Sequence, residues 1–94
     1  MTATAAVSTG QPDSGDPRIA ALRSRIDEID TAILALWRER AELSRQVGAA
    51  RVASGGTRLS LDREREILDR FHVALGPEGT ELGMLALRAG RGRL

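Results

Sequence analysis

The sequence of 94 residues lacks cysteine, lysine and tyrosine, and it has a single histidine, His72. Without cysteine it forms no disulfide and no Cys-His nucleophile, and one imidazole does not make a zinc site of the usual ligand types. No apolar run is long enough to span a membrane, and the N-terminus has neither the basic nor the apolar region of a signal peptide. We therefore expect a cytoplasmic protein without a metal or other cofactor.

The basic residues are all arginine, fourteen of them, against thirteen acidic residues. The net charge of +1 argues against a large nonspecific surface for nucleic acid. The planar guanidinium group, in contrast, matches both oxygens of a carboxylate. Arginines at positions 51, 58, 63, 65 and 70 surround the glycine pair of SGGTR. This arrangement predicts a pocket for a small dianion.

The first seventeen residues, MTATAAVSTGQPDSGDP, are small and polar and predict a disordered N-terminal tail. Residues 18–94, about 77 in number, then form the folded domain. A chain of this length buries only a thin core, which no disulfide reinforces. We therefore expect the protein to self-associate.

Apolar residues from Pro17 onward recur at steps of three and four, which predicts one long helix ending near ASGG. Asp16 is placed to cap this helix, and Pro17 suits its first turn. The helix would be about 50 Å long, whereas a compact domain of this size measures roughly 30–35 Å. A helix longer than its domain needs a second chain to cover it. The same stripe also allows a plain coiled-coil dimer.

Two shorter helices are predicted after the glycine pair. Ser60 can cap a helix whose apolar face begins at Ile67, and the GPEG turn at 76–79 leads to a third helix from about Glu78 to Ala89. The predicted fold is all-α, with one long and two short helices in an intertwined helical homodimer. The ending RAGRGRL is a frayed tail, a partner contact or a lid over a pocket.

Two charged residues interrupt the apolar faces of these helices. Arg40 occupies the seam between Leu36 and Leu43, which is unfavourable unless a protein carboxylate or a ligand anion meets it. Arg51, eleven residues later, returns to within about 20° of the same face. Glu64 lies at the top of the second helix's apolar face, although an exposed acid in a first turn is the alternative explanation.

These features resemble a known family, the all-helical chorismate mutases with an intertwined dimer, and in particular their short subclass. The resemblance covers residues 18–94 and is carried by LRSRIDEIDTAILALWRERAELSRQVGAAR, SGGTR, DRERE and RAGRGRL. It implies an isomerase of phenylalanine and tyrosine biosynthesis that rearranges chorismate to prephenate by a 3,3-sigmatropic (Claisen) shift. That reaction involves no covalent intermediate and no proton transfer, so arginines would act by holding the dicarboxylate and stabilising charge on the ether oxygen.

The resemblance also assigns roles to individual residues. Those implied to be catalytic are Arg51, Arg91 and Glu64. Those implied to bind substrate are Arg23, Arg40, Arg63, Ser60 and Leu87. Arg23 would serve the pocket of the other subunit, since seventeen residues of helix place it about 25 Å from Arg40. Ser60 and Leu87 depart from the family pattern, which puts an acid and a polar residue there, so we expect weak activity from the chain alone.

The resemblance implies a partner as well. The short subclass is activated by DAHP synthase, the first enzyme of the same pathway, and the implied contact is the C-terminal segment of Arg91, Gly92, Arg93 and Leu94. A noncatalytic helical adaptor or regulatory dimer of the same fold is the alternative function, and the loss of chorismate absorbance distinguishes the two. A DNA-binding helical module is disfavoured because acidic residues alternate with arginines along the second helix.

Overall fold

The computed structural model describes residues 15–91, within which no strand occurs. Three helices follow one another along the chain: α1 (Pro17–Ala53), α2 (Leu61–Leu75) and α3 (Pro77–Arg91). The all-α prediction is confirmed, and α3 extends slightly beyond both predicted ends. The predicted tail up to residue 14 and the predicted partner-binding residues 92–94 lie outside the described residues. No described helix is long and apolar enough to cross a membrane.

The start of α1 is capped by Asp16, as its position before Pro17 predicts. Its Oδ1 accepts a hydrogen bond from the backbone N–H of Arg18 at 2.8 Å. This N–H is one of the first-turn donors that have no acceptor within a helix. The same bond is the main cause that lowers the pKa of the Asp16 carboxyl.

The glycine pair of SGGTR ends α1 in a Schellman motif. Gly55 has a φ of 88°, a left-handed conformation that glycine adopts without steric cost. The N–H of Gly56 donates to the carbonyl of Arg51 at 2.8 Å, and the N–H of Gly55 donates to the carbonyl of Val52 at 3.0 Å. These two bonds satisfy carbonyls that the helix end leaves without partners, and they turn the chain away directly after Arg51.

A single residue, Gly76, separates α2 from α3. Its φ of 74° and ψ of −151° are accessible only to glycine, and its N–H donates to the carbonyl of His72 at 2.7 Å. At the other end of α2, Ser60 is the N-cap, and its side chain accepts from the backbone N–H of Arg63 at 3.4 Å. Glycine and the proline that follows it therefore produce the sharp junction between the two short helices.

The packing divides the chain between Leu34 and Ala35. In the first unit, the described residues 15–34 belong almost entirely to α1. Large apolar side chains line this segment at helical spacing and are between 41% and 64% exposed: Leu22, Ile26, Ile29 and Ile33. The first unit therefore carries an apolar stripe that its own described residues leave uncovered.

The second unit packs the rest of α1 with α2 and α3 around small residues. Buried positions recur along one face of α3 at steps of four, three and four: Gly79, Gly83, Ala86 and Gly90. A Cβ atom at Gly79 would lie 2.0 Å from the carbonyl oxygen of Phe71 in α2, and one at Gly90 would lie 2.3 Å from Oγ of Ser44 in α1. The beginning of α3 is thus pressed against α2, and its last turn is pressed against α1.

Candidate active site

The second unit contains a cavity of about 680 Å³, a size typical of pockets for small molecules. All three helices and the connection between α1 and α2 contribute to its wall. The lining residues are Arg40, Leu43, Ser44, Arg45, Val47, Gly48, Arg51, Arg58, Leu59, Ser60, Arg63, Glu64, Ile67, Leu87, Gly90 and Arg91. Apart from Arg45, the lining residues within each helix recur at steps of three or four, so each helix presents mainly one face to the cavity.

Arg40 projects from α1 toward α3. Its Nη1 donates to the backbone carbonyl of Ala86 at 3.2 Å, and the guanidinium is partly buried. Neither of its neighbouring acids on α1, Glu39 and Glu42, is bound to it within residues 15–91, and Glu42 instead pairs with Arg45 at 2.9 Å. One carbonyl does not neutralise a cation, so Arg40 retains its capacity to bind an anion in the cavity.

Arg51 lies at the end of α1, where the Schellman motif redirects the chain. Its Nε donates to the carbonyl of Thr57 at 2.8 Å. The side chain of Arg51 therefore holds the loop, while its own backbone carbonyl receives the N–H of Gly56. Among residues 15–91 only Nε is engaged, so the four N–H donors of the two Nη groups are left for a ligand.

Arg58 enters the cavity from the same loop. Its side-chain stem passes over Gly48 of α1, where an added Cβ atom would lie 3.1 Å from Cγ of Arg58. Its side chain is exposed, and no ion pair or hydrogen bond of its guanidinium is found in the described part of the chain. The small residue at position 48 thus provides the space that brings a further cation to the cavity.

Glu64 of α2 and Arg91 of α3 form an ion pair across the cavity. The two side chains are only 20% and 27% exposed, respectively, and they are the least exposed ion pair among residues 15–91. Two other pairs involve a residue of the cavity wall and are more exposed. Arg63 with Glu66 at 3.2 Å is 65% and 69% exposed, and Arg45 with Glu42 at 2.9 Å is 54% and 56% exposed. Glu64 is therefore not the exposed first-turn acid that was the alternative explanation of its position.

The electrostatics of the cavity favour an anion. Six arginines and one glutamate line it, which is a formal excess of five positive charges. The cavity wall has no histidine, cysteine or lysine, and His72 instead contacts Thr80 at 2.9 Å outside it. The arrangement can bind carboxylates with forked hydrogen bonds and stabilise negative charge, whereas a nucleophile activated by a base is not found among its lining residues.

The structure brings together seven of the eight residues predicted from sequence. They line one cavity: Arg40, Arg51, Ser60, Arg63, Glu64, Leu87 and Arg91. Arg23, the eighth, lies in the first unit and does not line it.

Of the five arginines around SGGTR from which a pocket was predicted, three line the cavity (Arg51, Arg58 and Arg63), and Arg65 and Arg70 do not. Sequence reasoning missed several other lining residues, among them Ser44, Arg45 and Gly48. Ser44 and Gly48 fall on the helical face that runs from Arg40 to Arg51, so continuing that periodicity would have found them. Arg45 lies off that series and had no periodic signal.

The sequence and the fold of this chain are both similar to those of known proteins. Residues 22–85 match the family described as chorismate mutase type II. The intracellular chorismate mutase of Mycolicibacterium smegmatis is 54% identical over 78 residues, covering 83% of this chain and 75% of the relative. That of Mycobacterium tuberculosis is 53% identical over 78 residues, covering 83% and 73%.

A solved structure is similar as well. It is a chain of the non-covalent complex of DAHP synthase and chorismate mutase from Corynebacterium glutamicum with a bound transition state analog. The TM-score is 0.80 at 39% identity, and the match covers 84% of this chain and 95% of the other. This solved structure therefore has the same three-helix fold as the chain described here.

Proposed function

The chain belongs to the chorismate mutase type II family, and on this premise we propose that it converts chorismate to prephenate in the arginine-lined cavity. In this reaction one C–O bond breaks and one C–C bond forms within a single molecule, and no proton is transferred. The observation that supports this site is the convergence of Arg40, Arg51, Arg63 and Arg91 on one cavity that has no nucleophile–base pair among its described residues. Such a site accelerates a unimolecular rearrangement by holding the reactive conformer and stabilising its charge.

Each arginine has a distinct part in this proposal. Arg40 and Arg63 bind the carboxylates, and Arg51 donates to the ether oxygen as the C–O bond opens. Arg91 donates to the same oxygen while it stays paired with Glu64, because a guanidinium carries five N–H donors. The second carboxylate oxygen of Glu64 then accepts a hydrogen bond from the hydroxyl group of the substrate. Ser60 and Leu87 complete the wall near the ring of the substrate. They provide fewer polar contacts than the acid and the polar residue that the family pattern has at these two positions.

The site is shared between two copies of the chain in this proposal. Arg23 does not line the cavity of its own chain, and it lies beside the exposed stripe that begins with Leu22 and Ile26. Covering that stripe with a second chain removes apolar surface from water. This burial stabilises the dimer by about 25 cal/mol for each Å² of apolar surface buried. The same association delivers the partner's arginine to the cavity, so dimerisation and activity become one requirement.

The role of Arg51 is tested by substitution with alanine. Loss of one preorganised donor to a developing oxyanion costs about 2.7–4 kcal/mol, a fall of roughly 10²–10³ in kcat. Chorismate consumption, followed by its absorbance, measures the rate, and circular dichroism verifies the helices. Arg70→Ala, which removes an exposed arginine of α2, is the matched control and should keep its rate. An Arg51→Ala variant whose kcat is within a fewfold of the parent's kcat would refute the assignment.

Sharing of the site is tested by mixing Arg23→Ala chains with Arg51→Ala chains. A heterodimer contains one cavity in which both arginines are intact. Random pairing makes half of the dimers mixed with one working site each, so about one quarter of the parent activity should return. Failure to recover activity, when mass spectrometry shows that subunits have exchanged, would exclude a shared site.

We also propose DAHP synthase as the partner of this chain, since the similar Corynebacterium glutamicum structure is a complex with it. The contact would be made by the C-terminal segment from Arg91 to Leu94. A partner that binds this segment preferentially in the active conformation raises the active fraction, and a hundredfold gain needs about 2.7 kcal/mol of differential binding. Activity titrations with DAHP synthase on the full chain and on a chain without Gly92 to Leu94 test this, because a frayed tail predicts equal activation of both.

In this proposal residues 18–94 form the mutase domain, and residues 1–17 precede it. The mycobacterial relatives are named intracellular chorismate mutases, which supports the cytoplasm as the place where this chain acts.

A further inference from the structure

Arg45 connects α1 to the last turn of α3. Its Nη1 donates to the backbone carbonyl of Ala89 at 3.4 Å. Carbonyls in the last turn of a helix have no i+4 donor within that helix, and the helix dipole makes this end negative. A cation placed there supplies a missing hydrogen bond and a favourable charge together.

The guanidinium of Arg45 is oriented by its neighbours on α1. Its Nε and Nη2 both donate to Oε1 of Glu42, at 3.2 Å and 2.9 Å. The other oxygen of Glu42 accepts from Nε2 of Gln46 at 3.2 Å. The hydrogen bond from Arg45 is the main cause that lowers the pKa of the Glu42 carboxyl. With one side of the guanidinium bound to Glu42, Nη1 points to α3.

The turn that Arg45 holds is the one that carries Arg91 into the cavity. Ala89 lies two residues before Arg91. Gly90, between them, packs directly on Ser44, the residue next to Arg45. One steric contact and one hydrogen bond from adjacent residues of α1 thus act on adjacent residues of α3. A shift of this turn would move the guanidinium of Arg91 with it.

We propose that Arg45, oriented by Glu42, is a positioning residue for the rearrangement and fixes the last turn of α3 so that Arg91 keeps its place in the cavity. This inference rests on the proposed role of Arg91 at the ether oxygen. Arg45 acts through the backbone of Ala89, so its loss affects the reacting bond more than substrate affinity. The role needs a cation with N–H donors at this position, which lysine also supplies.

The kinetic test compares Arg45→Gln, Arg45→Lys and Arg38→Gln in the full chain. Arg38 is an exposed arginine of the same helix that does not line the cavity, so its substitution controls for the loss of charge. Losing one hydrogen bond of a charged group predicts that Arg45→Gln lowers kcat about threefold to tenfold, with KM changed less than about twofold. Arg45→Lys should recover most of kcat, and Arg38→Gln should match the parent.

A double substitution tests whether the effect passes through Arg91. In a chain that already carries Arg91→Ala, adding Arg45→Gln should lower kcat by less than about twofold, because alanine has no side-chain donor for Arg45 to position. A full threefold to tenfold loss in that background would overturn the proposal, since Arg45 would then act independently of Arg91.

Amide hydrogen exchange provides a readout that does not depend on catalysis. Arg45→Gln should increase the exchange rate in the last turn of α3, residues 88–91, and leave α2 unchanged. Unchanged exchange there overturns the proposal whatever the rate of the enzyme. Faster exchange with an unchanged kcat also overturns it. The failure then lies in the assigned role of Arg91, which the kinetics of Arg91→Ala alone establish.

Discussion

Substitution of Gly90 by alanine should displace the last turn of α3 from α1. An alanine Cβ atom at this position would lie 2.3 Å from Oγ and 2.5 Å from Cβ of Ser44. Rotation of the serine side chain relieves the first contact but not the second, because its Cβ is fixed to the helix backbone. Restoring an ordinary separation of about 3.4 Å therefore requires the turn to move by about 1 Å.

This displacement has consequences for both stability and rate. Overpacking of this kind costs about 1–3 kcal/mol, offset by about 0.5–1 kcal/mol from the higher helix propensity of alanine. A net loss near 1 kcal/mol corresponds to a fall in Tm of about 4–8 °C for a domain of this size. Misplacing a catalytic group by about 1 Å lowers the rate by up to about 10²-fold. We therefore expect a large fall in kcat in a variant that is still folded at the assay temperature.

Controls isolate the contact with Ser44. Gly83→Ala makes the same change in the same helix, but its Cβ would meet the flexible end of Leu68 at 3.1 Å, so it should keep both Tm and kcat. Adding Ser44→Gly to Gly90→Ala removes both clashing atoms and should restore kcat, whereas adding Ser44→Ala leaves the Cβ contact and should not. The reasoning is refuted if Gly90→Ala has the parent's kcat, or if Ser44→Ala rescues it as fully as Ser44→Gly.

Three other changes probe the fold and its charges. Gly79→Ala would place a Cβ 2.0 Å from the backbone oxygen of Phe71, which cannot rotate away; the Tm should fall by about 10 °C or more, and a fall no larger than that of Gly83→Ala would contradict this. Ser60→Ala removes an N-cap hydrogen bond that is long at 3.4 Å. Urea unfolding should show that the free energy of unfolding falls by about 0.5 kcal/mol, and a fall above about 2 kcal/mol would indicate another role. The pKa of Glu42 is lowered from 4.5, so its contribution to stability is full above that pH and is lost as the pH falls through the lower folded-state value. NMR titration should therefore find its midpoint below 4.5 and closer to 4.5 in Arg45→Gln, and identical midpoints would show that Arg45 does not cause the shift.

Periodicity and capping residues were enough to predict the helices. The steps of three and four from Pro17, the cap at Ser60 and the glycine pair after Ala53 all correspond to boundaries of the fold. They succeed because a helix face and a helix end are local properties of the backbone. The same regularity placed Arg40 and Arg51 on one side of α1, and both line the cavity.

The partners of the charged side chains were not predictable in this way. The sequence contains Glu64 and Arg91, but nothing in their spacing indicates that they pair across two helices. Arg40 was expected to meet a carboxylate or a ligand, and in the fold it binds the carbonyl of Ala86. Arg45 had no distinguishing signal at all.

The sequence by itself determined which residues lie on each helix face, where each helix begins and ends to within about two residues, and the number of arginines that suits a dianion. Only the tertiary structure decided which arginine meets which backbone carbonyl, and which cations enter one cavity. The reason is that these contacts depend on how closely α3 approaches its neighbours. That distance is set by the absence of side chains at Gly79, against Phe71 of the preceding helix, and at Gly90, against Ser44, which is far away in the sequence.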